Sequence, residues 1–174
     1  MLYLLLFPLV VIGGLLIFLA PMFSRLIAKD YELGLVRLRA VLDPSAPKLD
    51  IRFPGTTEMP AMAALTMPFT AYHMADPEAG RFRCDLAVPV PFDTESGELT
   101  LKHFAGGAFE VTEVQGSYDF MELAWHAAMG HLRMVKRQWD RSRPAMEIYA
   151  TGPDTAASDD ELLTRICVPV KPKG

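Results

Sequence analysis

Cysteine is scarce in this chain: Cys84 and Cys167 are the two in 174 residues, with no CxxC spacing around either. That excludes a disulfide framework and a thiolate metal site, and both thiols read as buried strand residues. Basic charge is also short, with 17 Lys and Arg against 21 Asp and Glu and a pI near 5.5. A nucleic-acid surface needs clustered Lys and Arg, so no nucleic-acid partner is expected. The four histidines make no metal site, because His126 and His131 stand five apart on one helix-like stretch and no HExxH or Cys/His pattern exists. No cofactor motif is present, and Met59, Met62, Met67 and Met121 read as core filler.

Charge is missing altogether from the start of the chain. Between Leu2 and Ser24 there is no charged side chain, and about 20 apolar helical residues cross the roughly 30 Å hydrocarbon core of a bilayer. A cleaved secretory signal fits poorly, since no basic side chain precedes the run and Pro21 follows the one small-residue site at Ala20. Residues 1–24 are therefore expected to be an uncleaved single-pass anchor, with Leu2–Phe23 in the lipid bilayer. Pro8 and Gly13-Gly14 leave room for partner helices of another membrane protein. Arg25 and Lys29 follow the anchor, which by the positive-inside rule puts the rest on the cytoplasmic side of the inner membrane. Residues 25–48 form a juxtamembrane segment in which Ser24–Leu42 fits a helix through Leu35, Leu38 and Leu42 and nearly fits a strand through Leu33, Leu35, Leu38, Ala40 and Leu42, the helix being the reading preferred; Asp43-Pro44-Ser45-Ala46-Pro47 breaks it.

What is present after that is a pattern used twice. Gly55 aligns with Gly116, Thr56 with Ser117, Glu58 with Asp119, Met59 with Phe120 and Ala63 with Ala124. PFTAYHMADP at Pro68–Pro77 then answers PAMEIYATGP at Pro144–Pro153, and LAVPVP at Leu86–Pro91 answers ICVPVKP at Ile166–Pro172. Three landmarks in one order indicate an internal duplication, with repeat one at 49–91 and repeat two at 109–172. Leu49, Ile51 and Phe53 alternate with polar residues as in a half-buried strand, ended by Pro54-Gly55. Thr56 then caps a short helix over Glu58–Thr66. The second helix is the better signalled, with Ser117 as N-cap and a stripe of Met121, Ala124, Trp125, Ala128, Leu132, Val135 and Trp139. Strands are expected at Phe69–Met74, Arg81–Val90, Phe109–Val114, Met146–Ala150 and Leu163–Val170. From glycine to tyrosine the first copy is much the shorter, Gly55 to Tyr72 against Gly116 to Tyr149, so its helix is cut down.

The run GGAFEVTEVQGSYDFMELAW, followed by RPAMEIY and TRICVPV, resembles the GyrI-like small-molecule-binding domain, the effector-binding part of AraC-type and MerR-type multidrug regulators. The resemblance covers 49–172 and implies an α+β fold: a tandem strand–helix–strand–strand repeat making a curved antiparallel sheet with helices on one face. It also implies a ligand groove between the repeats, with a glutamate on the strand after the second helix. That residue is Glu147 here. Tyr149, Tyr72 and Trp125 are the aromatic faces that would accompany it, and Thr70 holds the position symmetric to Glu147. A carboxylate in an apolar groove favours a cation that brings its own apolar surface. The competing structural reading pairs Glu147 with Arg143 or Arg141.

Three functions follow in order. The first is a membrane-anchored, non-enzymatic module binding an amphipathic, cationic small molecule. The second is a non-catalytic accessory subunit of a larger bacterial membrane complex, of respiratory or photosynthetic type, that keeps the fold without the ligand. The third is a hydrolase of reactive small molecules, for which no nucleophile–base pair is apparent.

Overall fold

The computed structural model describes residues 28–39, 42–43, 45–59, 67–76, 81–91, 93–95, 97–98, 100–104 and 106–172. They belong to two compact units, Met1–Pro44 and Ser45–Gly174. The first contributes one helix, α1, over residues 28–39, inside the stretch where the leucine spacing predicts one. The expected anchor at Leu2–Phe23 lies outside the described residues. Among those residues no helix is long and apolar enough to cross a membrane.

The second unit is α+β. Its strands are β1 (Leu49–Met59), β2 (Phe69–Asp76), β3 (Arg81–Ala87), β4 (Gly107–Gly116), β5 (Ala145–Thr151) and β6 (Leu163–Pro169). They form one antiparallel sheet in the order β1-β4-β6-β5-β2-β3. Helix α2 (Met121–Met134) follows β4 through a 3₁₀ turn at Tyr118–Phe120. β1 thus lies against β4 and β2 against β5, each beside the strand with which it aligns in sequence. In the registers Arg52 stands opposite Glu113 and Thr70 opposite Glu147, and these too are aligned positions.

β1 departs from expectation. It does not stop at Pro54-Gly55 but runs to Met59, so Thr56 and Glu58 are strand residues and Thr56 caps no helix. The reason is β4, which offers pairing partners along its whole length as far as Gly107. The irregularity that Pro54 forces is absorbed as a register shift between Arg52 and Gly55, where Gly55 adopts φ 97°. The rest of the expected first helix, residues 60–66, lies outside the described residues.

Cross-strand neighbours share a face, so the registers sort the side chains. One row reads Thr70, Glu147, Ile166 and Thr112, and the next reads Ala71, Met146, Cys167 and Val111. The second row belongs to an apolar core with Phe69, Phe109 and Ile148, against which Phe104, Met59, Met67 and Ala87 pack. Cys167 lies fully inside it, and burial pushes its thiol up to about 12. The first row faces α2. That helix buries Leu123, Ala124, Ala128 and Leu132, and a large apolar side chain contributes about 1.5–3 kcal/mol when fully buried. The expected stripe was too long at its far end. The helix stops at Met134, Lys136 turns into positive φ, and Val135 stands exposed while Trp139 bridges to Val170. At the near end Ser117 does cap, accepting from the Asp119 N–H at 3.3 Å, but it caps the 3₁₀ turn that leads into the helix.

The return from α2 to β5 is locked by Arg143. Its guanidinium donates to the carbonyls of Gly106, Ala108 and Val170, each at 3.1 Å, and pairs with Asp140 at 3.0 Å. A Cβ on Gly107 would press into that guanidinium at 2.6 Å, so the glycine makes the approach possible. Replacing Arg143 with Met keeps the stem and takes its donors from the Gly106 and Val170 carbonyls, while the Ala108 carbonyl keeps the Val170 N–H at 3.0 Å. The expected loss is about 2 kcal/mol, read as a lower urea midpoint with an unchanged slope.

Candidate functional site

The side chains of Glu147 and Tyr149 project from one face of β5, being two residues apart on a strand. Thr70 and Tyr72 do the same on β2, and the pairing of Thr70 with Glu147 brings the two sets together. Helix α2 lays Trp125 across them. The five residues singled out from the sequence form one hydrogen-bonded cluster.

Glu147 is 5% exposed and sits at its centre. Oε1 accepts from the indole N–H of Trp125. Oε2 accepts from the Tyr72 hydroxyl at 3.0 Å and the Tyr149 hydroxyl at 3.1 Å, and the Tyr149 hydroxyl also meets Thr70 Oγ1 at 2.9 Å. The rings are locked as well as the polar atoms. Tyr72 meets Trp125 edge-on with centroids 5.6 Å apart, and Tyr118 meets Tyr149 at 5.7 Å, geometries favoured by the ring quadrupoles. Burial, then the charge and hydrogen bond of Glu147, drives the Tyr72 phenol far above its ordinary value of 10.0. Tyr149 is raised by burial and by Glu147 against the opposing bond from Thr70, and Tyr118 by burial, Asp154 and Glu147. All three phenols stay protonated at neutral pH, so Tyr72 and Tyr149 act there as donors.

The partners described for Glu147 are neutral. Neither arginine weighed against it reaches it: Arg143 is committed to Asp140 and three carbonyls, and Arg141 lies over the Trp139 ring at 5.3 Å. Glu110, equally buried, is different. It accepts from Thr56 Oγ1 at 2.6 Å and has a basic neighbour in His131 at 3.3 Å, whose ring is stacked under Phe53. That cluster joins β1, β4 and α2 and needs nothing from outside.

Beside Glu147 opens a cavity of about 610 Å³. Met67 and Pro68 wall it from the first half of the fold, Tyr118 and Met121 from the start of α2, and Glu147 and Tyr149 from β5. The chain from Ala150 to Thr155, including Asp154, completes it. Trp125, Tyr72 and Thr70 lie behind this surface and hold Glu147 and Tyr149; Tyr118 and Asp154 line it without having been singled out, and Met67 and Met121, expected as core filler, line it too. The signal for Tyr118 was its place directly after the capping Ser117, where a helix start opens onto a sheet face. Asp154 had no local signal, because its place depends on where the loop after β5 returns.

The fold and this site define a small-molecule-binding domain. The family model of the GyrI-like small molecule binding domain matches residues 57–171, and the chain belongs to that family. Among solved structures, the cryo-EM structure of the EcmrR–DNA complex in EcmrR-RPo is similar in fold. It is 14% identical over 87% of this chain and 69% of that one, with a TM-score of 0.53. The crystal structure of the EcmrR C-terminal domain is 16% identical over 72% of this chain and 98% of that one, with a TM-score of 0.49. No curated protein matches the chain.

The raised phenols have a measurable consequence. Above pH 10 the unfolded chain releases tyrosine protons that the folded chain retains, so stability contributed by Tyr72, Tyr149 and Tyr118 is fully present below that pH and lost as pH rises further. Absorbance titration at alkaline pH will show late-ionising tyrosines that appear together with unfolding, and Tyr72→Phe will remove one of them.

Proposed function

We propose that this protein is a membrane-tethered receptor for an amphipathic, cationic small molecule, held in the cavity beside Glu147. One observation carries the reading: a buried carboxylate supported by neutral donors at the wall of an open, tyrosine- and methionine-lined space. A buried charge costs several kcal/mol unless compensated. The neutral donors hold the carboxylate without cancelling its charge; a ligand cation supplies the opposite charge, and its apolar body replaces water against Met67, Met121, Tyr118 and Tyr149. The open cavity favours this reading over a subunit that has kept the fold and lost the ligand. The matched registers at Arg52/Glu113 and Thr70/Glu147 support an origin by duplication of 49–91 and 109–172, with the site on the line where the copies meet. The uncharged run Leu2–Phe23 supports an anchor in the inner membrane with the domain on the cytoplasmic side.

Two measurements test this. Ethidium will raise the melting temperature of the wild-type chain, and Glu147→Gln will weaken its binding at least about tenfold, a loss of about 1.4 kcal/mol. An equal shift in both proteins removes the charge from the account. For the anchor, the full chain is expected to stay with membranes through an alkaline carbonate wash, and a chain lacking residues 2–23 to be released by it.

A further inference from the structure

The cavity beside Glu147 contains a second carboxylate. Asp154 lines it from the loop after β5, whereas Glu147 lies at its buried end. Tyr118 lines the same space, its ring meeting Tyr149 edge-on and its phenol feeling both acids. No Lys, Arg or His is among the residues that line the space, and among the described residues no cation pairs with Asp154. A ligand with one positive centre meets one of the two acids, and a second positive centre meets both.

We infer that the cavity is built for an aromatic ligand with two cationic centres, the inner one against Glu147 and the outer one read by Asp154 at the mouth. The inference rests on the small-molecule reading of the same cavity and assigns a specificity-determining role to a residue outside the cluster. The two acids differ in kind. Glu147 is desolvated, so its attraction is strong and insensitive to salt. Asp154 is exposed, so its contribution is smaller and screened over a Debye length of about 10 Å at 0.1 M salt. Tyr118 and Tyr149 supply the aromatic surface for the segment joining the two centres.

Ethidium and propidium separate the cases. They share one phenanthridinium ring system, and propidium adds a quaternary ammonium on a short alkyl arm. By calorimetry at low salt the wild-type chain is expected to bind propidium about 3- to 10-fold more tightly than ethidium, the range of one exposed ion pair. Asp154→Asn will abolish that advantage and leave ethidium within about twofold, an exposed-site effect near zero. Asp159→Asn, in the same loop but off the cavity, will change neither. Added salt will shrink the advantage in the wild type and leave the Asp154→Asn ratio flat. Equal affinities in the wild type, or a loss shared equally by both dyes on Asp154→Asn, overturns the two-centre inference while the single-cation reading stands. Failure of both dyes to bind overturns both.

Discussion

A buried carboxylate with no counter-ion among the described residues is the constraint around which this domain is arranged. Moving such a group out of water costs several kcal/mol, and the fold meets that cost with donors drawn from three elements. Trp125 comes from α2, Tyr72 from β2 and Tyr149 from the same strand as Glu147. Hydrogen bonds to a charged group contribute about 1.5–3 kcal/mol each, enough in sum to hold the group in place. The donors are also aromatic, so the atoms that satisfy Glu147 belong to rings that pack. The joint between helix and sheet and the wall of the cavity are consequently one structure. A change in any donor alters both the packing of α2 and the shape of the space beside it.

What separates this cluster from the other polar clusters is its charge balance. Glu110 has His131, Glu113 has Arg165 at 3.0 Å, Asp140 has Arg143, and Asp85 has Lys102 and His73, both at 2.6 Å. Lys102 first and then His73 hold the Asp85 carboxyl below the usual range, and Ser142 and Arg143 do the same for Asp140. Each of these acids has a basic neighbour on the chain itself. Glu147 has hydroxyls and an indole. A structural role is served more cheaply by an arginine, as Arg143 demonstrates a few residues away, so the neutral surround of Glu147 sets it apart from the acids that tie the fold together.

Much of this was legible in the residues because it depends on short periodicities. Alternation found the strands and the Gly116-Ser117 step found the start of the helical region, while Glu147 and the aromatics around it were named by the resemblance to the GyrI-like domain. Pro54-Gly55 misled because a turn and a bulge have the same local chemistry, and only the length of β4 distinguishes them. The far end of α2 misled because Val135 and Trp139 continue an apolar period past the point where Lys136 reverses the backbone. For the cavity the limit was of another kind. Tyr118 and Asp154 are remote in sequence and meet through the return of a loop, which no local pattern encodes.

The register at the centre explains why the two halves cannot match there. Directly opposed residues on an antiparallel pair have Cα atoms only about 4.5–5.5 Å apart. Thr70 and Glu147 are directly opposed, so a carboxylate at both positions would bring two buried acids together. Like charges in that geometry cannot both ionise. The acid accordingly stands on one strand and a small hydroxyl on the other. Threonine meets the demand, because its Oγ1 bonds the Tyr149 hydroxyl and so steadies a donor to Glu147 without adding charge.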